Sequence, residues 1–423
     1  MNPGEPAAAR RRVPSGRRFC RAVAFALSLA VAQTGPVMAA DVSSTKAYEP
    51  TGITFGSFIL QPSLEIGGVY TDNVRESRTD RKSDVGLRLR PLVDLRSDWN
   101  RHALNVHAES EHVLYAKESR QNIDNADIGA SYRLDMHRDF SALFEARYTL
   151  QQEGLAQADI PVNAIDPRKD EIYRIRAGLT YDGGRFAITA RGGTSWHRFG
   201  DVRLSDGSVQ RNKDLNYTAP IAELRLKYQD APIITPYVEA AYVPRIYDRP
   251  DEFLGVKRSS DGARFAIGAE FAPDPIWTGM AALTYEIRDY RHLAMKVVEG
   301  VGFDANVIWR PQKITAVTLD AGSSIGETNV TGATATRNYT VGLRLDHAFR
   351  YNFLGALMAR YTLEDYIGID LKEETWTTGF DLTYLLSPQL ALIGSYRFID
   401  YSLTGRTRDY DENRIMVGVR LQR

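Results

Sequence analysis

The sequence predicts an all-β protein, a transmembrane antiparallel up-and-down β-barrel of about 18 strands (16–18) that follows a cleaved signal peptide. Three observations predict this fold. Apolar and polar residues alternate with a period of two almost to the C-terminus, short breaks alternate with longer polar ones, and the N-terminus resembles an export signal. We therefore expect a signal peptide at 1–39, a periplasmic N-terminal lead at 40–57 and an outer-membrane barrel at 58–423.

The predicted signal peptide has the usual three parts. Six arginines between Arg10 and Arg21 precede an apolar run from Ala22 to about Val31, and small residues follow up to Ala40. The apolar run is too short to cross a bilayer as a helix. The only cysteine of the 423-residue chain, Cys20, lies inside this segment, so the mature chain is expected to have no disulfide and no thiol chemistry.

The charge balance narrows the classes of partner. The whole chain has 53 basic and 53 acidic residues, and removal of the leader's six arginines and one glutamate leaves 47 against 52. A mildly acidic chain of this kind argues against a nucleic-acid partner. No later segment approaches 18 apolar residues, which excludes a helical membrane protein but not a barrel, where only alternate residues face lipid.

Residues 173–181 show the alternation most clearly. Tyr173, Ile175 and Leu179 share one face of a strand, whereas Arg174 and Arg176 share the other. One face is therefore apolar and the other charged, as expected for a wall between lipid and water. The same pattern recurs in residues 128–135, 222–228, 264–271, 339–346 and 414–421.

The breaks between strands fall into two classes. Eight are short, and nine are longer and more polar, which predicts 18 strands with both termini on the short-turn side, expected to be the periplasm. Aromatic residues gather near strand ends, as in interfacial girdles, although aromatics also favour strands in general. The residues assigned to the girdles are Tyr70, Trp99, Tyr115, Tyr181, Trp196, Tyr228, Trp309, Tyr384 and Tyr401.

The start of the predicted barrel resembles a known family. Pro50-Thr51-Gly52 leads through Gly56-Ser57-Phe58 to Pro62-Ser63-Leu64, and Tyr70-Thr71-Asp72-Asn73 follows. This segment is similar to the opening of the type-2 family of outer-membrane β-barrel porins, which the remaining chain resembles through alternation and length. The resemblance implies a pore-like barrel, and some relatives sit in exopolysaccharide export clusters. One departure is the final residue, Arg423, where such barrels usually end on an aromatic or apolar side chain.

Charged residues of both signs are predicted to line the lumen. They form either a selectivity lining or an ion-pair network that stiffens the wall, and the mixed signs favour the network. A bias to arginine in strands 2, 4 and 6 suggests anionic or sugar-like solutes. The predicted lumen-lining residues are Arg88, Arg90, Arg133, Arg147, Arg174, Arg176, Arg225, Arg344, Arg360, Arg397, Glu145, Glu223, Glu270 and Asp346.

No motif in the sequence indicates an enzyme, a cofactor or a metal. The histidines lack metal-ligand spacing, and neither a nucleophile elbow nor a phosphate loop is present. His112 and His197 are the histidines expected near the rim, without an identifiable catalytic partner. The partly apolar loop 153–169 is a candidate to fold into the lumen. The first loop has Arg75, Arg78, Arg81 and Lys82, which either contact lipopolysaccharide phosphates or are simply solvated.

These observations predict a channel for hydrophilic solutes. The alternative is an export or scaffold barrel that works with periplasmic partners in exopolysaccharide secretion. The expected partners are outer-membrane lipid and lipopolysaccharide, the barrel-assembly machinery and, under the alternative, periplasmic polysaccharide-export proteins.

Overall fold

The computed structural model describes residues 50–230, 233–252, 255–272, 276–292, 295–405 and 408–423, so the predicted signal peptide lies outside it. Its main feature is an antiparallel sheet that closes into a barrel of 18 long strands. The strands are β1 Phe58–Thr71, β2 Asp84–Ser97, β3 Ala103–Tyr115, β4 Ile123–Asp135, β5 Phe140–Glu153, β6 Arg168–Asp182, β7 Phe186–Phe199, β8 Tyr217–Tyr228, β9 Ile234–Tyr242, β10 Ser260–Phe271, β11 Trp277–Tyr290, β12 Val298–Gln312, β13 Thr315–Gly326, β14 Ala335–Arg350, β15 Phe353–Ile367, β16 Lys372–Ser387, β17 Leu390–Leu403 and β18 Tyr410–Gln422.

The barrel closes between its first and last strands. β1 pairs with β18 from Ser63 opposite Gln422 to Thr71 opposite Arg414, and every other strand pairs with its neighbour in the chain. Closure leaves no free sheet edge, which a wall surrounded by hydrocarbon requires. The backbone N–H of Arg423 donates to Pro62 O at 3.1 Å, so the terminal arginine extends the closure. The predicted fold class and the strand count of 18 are confirmed.

The two faces of the wall differ in character. Large apolar side chains project from the outer face and are highly exposed, for example Ile267 (72 %), Val301 (71 %) and Val417 (67 %). Charged residues at the alternate positions point inward and are mostly buried or half-buried. An apolar outer face on every strand is expected for contact with lipid, because exposure of so much apolar surface to water would be unfavourable.

Aromatic girdles mark both ends of the outer face. At the short-turn end the Trp277 and Trp309 rings stack at 5.6 Å. At the other end, the hydroxyl of Tyr285 donates to Glu299 at 2.8 Å. The two girdles are about 20 Å apart when the strand rise is corrected for barrel tilt.

Two aromatics assigned to the girdles from the sequence lie elsewhere. Tyr115 and Tyr401 are buried on the inner face, because their positions in β3 and β17 have the inward parity. Both pack in apolar clusters near the ends of their strands, Tyr115 with Val69 and Tyr401 with Leu403. The girdle assignment was therefore wrong for these two residues.

The connections form two ends of different character, which we call the turn end and the loop end. Turns of two to five residues join the strands at the turn end, and loops of up to 17 residues join them at the loop end. Small elements lie outside the 18 strands: Ile53–Phe55 pairs back on β1, Val202–Arg203 pairs with Val209–Gln210, Ile246–Tyr247 pairs with β8, and Ser119–Gln121 forms a 3₁₀ turn. Among the described residues, no helix has the length and apolar character needed to cross a bilayer.

Candidate functional site

The first part of the inner wall is an ion-pair chain across the closure of the barrel. Glu65 on β1 accepts from Arg420 on β18 at 2.8 Å and from Arg88 on β2 at 2.9 Å. Arg88 also donates to Glu111 on β3 at 2.6 Å, and Arg90 donates to Glu109 at 2.5 Å. The chain thus links four consecutive strands, from β18 to β3, through their inward side chains.

A second ion-pair cluster lies on β8 to β12. Arg225 donates to Glu239 at 2.7 Å and lies 3.4 Å from Glu270, which Lys227 also contacts at 2.6 Å. Arg264 on β10 contacts Glu239 on β9 at 3.3 Å and so extends the cluster to the next strand. In this part of the wall the arginines and carboxylates largely neutralise one another.

A third cluster occupies β14 to β17. Arg344 donates to Asp346 at 3.0 Å and to Asp381 at 3.2 Å, and Arg397 donates to Asp381 at 2.5 Å. Three further predicted residues also have partners. The pairs are Arg147 with Asp127 at 2.7 Å, Glu223 with Arg191 at 2.9 Å, and Arg133 with Asp135 at 3.2 Å.

Most of the predicted lining residues therefore belong to ion-pair networks, which the mixed signs favoured. Two predicted arginines differ. Within the part of the chain that the structure describes, Arg174 on β6 and Arg360 on β15 form neither a hydrogen bond nor an ion pair. Arg176 faces the same side of β6 as Arg174, opposite Glu145 in the strand register.

The loop end of the lumen is crossed by loop 154–167. This loop connects β5 and β6, yet its middle contacts β16 and β17 on the far side of the barrel. The hydroxyl of Tyr401 donates to Ala156 O at 2.9 Å, and the N–H of Ala158 donates to Glu373 at 3.1 Å. The inward folding that its partly apolar sequence suggested is thus observed at this end.

An apolar cluster holds the loop on the far wall. Ala156 and Ala158 pack with residues from loops 327–334 and 368–371 and from the ends of β15 and β17, and Ile160 is 1 % exposed. Removal of this surface from water favours docking of the loop. The other buried members of the cluster are Val330, Ala333, Tyr366, Leu371, Tyr401 and Leu403.

Loop 243–259 completes the closure of this end. Arg245 donates to Ile325 O at 2.7 Å, and the Tyr247 hydroxyl donates to Glu327 at 2.9 Å. Arg258 donates to Thr334 O at 3.0 Å, while Thr328 donates to Asp159 at 2.8 Å. Loops 154–167, 243–259 and 327–334 thus meet over the lumen, and we call them the mouth cover.

The contacts of the mouth cover include carboxylates that titrate near neutrality. Glu76 accepts from the N–H of Ala156 at 3.4 Å, and burial raises the pKa of Glu76 to about 7, with the nearby charge of Glu412 adding to the effect. Burial also raises the pKa of Asp159 to about 6. The sequence contained no signal for these anchors, because loop residues have no period from which a partner follows.

The cations of the first loop are already engaged by acids of the rim. Arg75 contacts Glu118 at 2.9 Å, and Arg81 contacts Asp411 at 2.9 Å. Arg78 and Lys82 have looser contacts, with Asp409 at 4.0 Å and Asp80 at 3.7 Å. These pairs weaken the case for a free phosphate-binding cluster in this loop.

The two histidines expected at the rim have partners of different kinds. His112 lies 2.9 Å from Asp124 on the outer face, whereas His197 lies 3.1 Å from the Ser195 hydroxyl on the inner face. Both partners were missed from the sequence: Asp124 depends on strand register, whereas Ser195 lies two residues before His197 on the same face of β7, where the alternation could have found it. Among the described residues, no three histidine, aspartate or glutamate side chains are grouped to hold a metal ion.

The chain matches one protein family over almost its whole length. The family described as "Putative beta-barrel porin 2" matches residues 46–423. No match was found among curated proteins. Similar solved structures include Acinetobacter baumannii OccAB4 (12% identity, 87% of this chain and 99% of that chain, TM-score 0.43), a BenF-like porin from Pseudomonas fluorescens Pf-5 (13%, 86% and 99%, 0.43) and Pseudomonas aeruginosa OpdL (14%, 87% and 99%, 0.42).

Proposed function

Because this chain belongs to the beta-barrel porin 2 family, a family of porin-like outer-membrane barrels, we propose that it is a channel for small hydrophilic solutes. The observation that carries the proposal is the contrast between the faces of the wall. The outer face is apolar between its girdles, whereas charged side chains follow the inner face along its length. Barrels of this strand number enclose a lumen wide enough for water and small solutes.

The orientation follows from the two ends. In bacterial outer-membrane barrels, short turns and both termini face the periplasm and long loops face the outside. The mouth cover then lies at the cell surface, and the turn end faces the periplasm. We propose that the structure represents a closed state and that passage requires loop 154–167 to leave its contacts with Glu373 and Tyr401.

The alternative, an export or scaffold barrel in exopolysaccharide secretion, is not favoured by the family description, which names a porin. We further propose that the protein has no enzymatic activity. Ser195 and His197 lie 3.1 Å apart, but among the described residues no carboxylate is hydrogen-bonded to the His197 ring to orient it, as a catalytic triad requires. Lipid, lipopolysaccharide and the assembly machinery remain the partners we propose for an outer-membrane barrel.

A planar-bilayer recording tests the channel proposal. We expect purified mature protein to give discrete conductance steps in potassium chloride, and deletion of residues 155–166 to enlarge them or make them more frequent, because the mouth cover is removed. Folding is checked by β-type circular dichroism and by the compact form seen on unheated gels. A correctly folded deletion variant without any conductance contradicts the proposal.

A further inference from the structure

We propose that the inner wall contains a binding subsite for the carboxylate or phosphate group of a small solute, centred on Arg174. The inference deepens the channel proposal and rests on it. The subsite consists of Arg174 and Arg176 on β6, Ser195 and His197 on β7, and Tyr217 on β8. These residues face the lumen just beneath the mouth cover.

Arg174 differs from most inward arginines in its neighbours. Arg88, Arg225 and Arg344 each contact a carboxylate at 2.6–3.2 Å. Arg174 instead lies opposite Arg147 on one side and Ser195 on the other, and it forms no hydrogen bond or ion pair with the described residues.

The carboxylates near Arg174 lie on β4 and β5, and among the described residues neither pairs with it: Glu145 stands opposite Arg176 in the strand register, and Asp127 is engaged elsewhere. Asp127 accepts from Arg147 at 2.8 Å and from Thr149 at 3.0 Å. Arg174 therefore carries a positive charge with which no carboxylate of the described residues pairs, whereas most inward arginines are paired. A half-buried guanidinium without a partner is unfavourable, and an oxyanion would satisfy it.

A cavity lies beside these arginines. Its enclosed part has a volume of about 20 Å³, which is room for an oxygen atom or two of an anionic group, so the rest of a solute would lie in the lumen. Its wall combines Ile172 and Ile221 with the polar groups, and Arg245 of the mouth cover closes it from above.

The polar groups of the cavity are held in place. The His197 ring stacks on Tyr217 with centroids 4.3 Å apart, and its Nε2 lies 3.1 Å from Ser195 Oγ. Ser195 stands directly opposite Arg174 in the strand register. A guanidinium offers two parallel donors that match a carboxylate or phosphate, and a fixed hydroxyl beside it can bind a further oxygen.

The class of ligand follows from this chemistry. The cations demand an oxyanion, the hydroxyl and imidazole suit further oxygen atoms, and the apolar side accepts a ring or short carbon chain. We therefore expect binding of a sugar acid or sugar phosphate and not of the corresponding neutral sugar. Glucuronate, glucose 6-phosphate and glucose are suitable probes, because they share a ring and differ in the anionic group.

Titration calorimetry on detergent-solubilised mature protein tests the subsite without relying on conductance. We expect glucuronate or glucose 6-phosphate, or both, to bind and glucose not to bind. Arg174→Gln should weaken the binding roughly tenfold or more. Arg360→Gln is the matched control and should leave affinity unchanged. Arg360 also faces inward and has no partner among the described residues, but it lies on β15, away from the cavity.

The outcomes separate the subsite from the channel. Equal losses of affinity in the two variants would mean that only the general positive charge of the lumen matters, and this would overturn the subsite. Unchanged affinity in Arg174→Gln, or binding of glucose as tight as that of the anionic sugars, would also overturn it. If Arg174→Gln folds poorly, Arg174→Lys keeps the charge, and the loss of its paired donors should still reduce affinity. Wild-type protein that binds glucuronate but gives no conductance would overturn the channel alone, whereas conductance without binding would overturn the subsite alone.

Discussion

Gly154 begins the loop that crosses the lumen, and its lack of a side chain allows a close contact. A Cβ atom at this position would overlap the carboxylate of Glu76. The absence of a side chain therefore lets the first loop reach the backbone of Ala156, where Glu76 accepts a hydrogen bond at 3.4 Å. The close approach links loop 72–83 to the mouth cover.

Gly154→Ala should loosen the mouth cover. The added methyl group must displace either Glu76 or loop 154–167, so we expect a higher open probability in bilayer recordings with little change in barrel stability. Gly394→Ala is the control, since a Cβ there meets only Met416 O at 3.9 Å. If the open probability of Gly154→Ala equals that of wild type, the contact between Glu76 and Ala156 does not stabilise the closed position of the mouth cover.

Titration of Glu76 should make opening depend on pH. The docked state raises the pKa of Glu76 to about 7, whereas the released, solvated carboxyl has its ordinary, lower pKa. The docked state therefore holds its proton more tightly, and docking weakens as pH rises from the ordinary value to about 7, with no further change above that. Glu412 and Arg414 of β18 are charged neighbours that act on Glu76 in opposite directions. We expect more frequent opening at pH 8 than at pH 5.

Glu76→Gln separates this effect from other titrations. Glutamine stays neutral, so the variant should remain largely closed at pH 8, and the slope of open probability against pH should fall. A residual slope is expected from Asp159, whose pKa burial raises to about 6. A variant with the full wild-type slope would assign the dependence to groups other than Glu76.

The residue scale also shows what the sequence could and could not predict. Alternation alone placed Arg88, Arg225 and Arg174 on the inward face. It could not show that the first two find carboxylates and the third does not, because a partner depends on which residue lies opposite. Strand register sets that, and turn geometry sets the register.

At the scale of elements, the strands could be predicted from the sequence, whereas the contacts of the loops could not. A strand between lipid and water repeats one physical requirement at every second residue, so its pattern is readable. Loop 154–167 meets its partners from distant parts of the chain, and only its apolar character hinted that it leaves the solvent. Tyr115 and Tyr401 show the same limit, since an aromatic near a strand end suits either a girdle or an inner cluster.

A disulfide between two loops of the mouth cover should lock the lumen. Asp159 Oδ1 and Thr328 Oγ1 are 2.8 Å apart, so Asp159→Cys with Thr328→Cys places two thiols close together. The only native cysteine lies in the predicted signal peptide, so no other thiol competes in the mature chain. We expect oxidation to reduce conductance and reduction to restore it.

The single-cysteine variants are the controls for the lock. Neither should respond to oxidant, because each lacks a second thiol. Unchanged conductance in a double variant whose cross-link is verified by mass spectrometry would show that solutes pass without movement of these loops.

At the scale of the whole molecule, the barrel depends on how its first and last strands join. The N-terminal and C-terminal strands form the seam, where β1 and β18 pair over nine residues and Glu65 links arginines from both sides. The closed barrel was predictable, because the alternation gives every predicted strand one apolar face and one polar face. The charge chain across the seam was not, because the sequence does not say which residues meet there.

Glu65→Gln should destabilise the whole barrel. The Glu65 side chain is only 8 % exposed and contacts Arg88, Arg90 and Arg420, so its loss leaves three cations without their shared anion. Removal of one partner from a buried network costs several kcal/mol, and the nearby lumen moderates this to about 2–4 kcal/mol in the free energy of unfolding. Asp80→Asn breaks an exposed pair with Arg75 and should leave stability nearly unchanged. Reversible urea unfolding in lipid vesicles measures both, and equal, small changes would mean that the seam is held by backbone pairing and lipid contact alone.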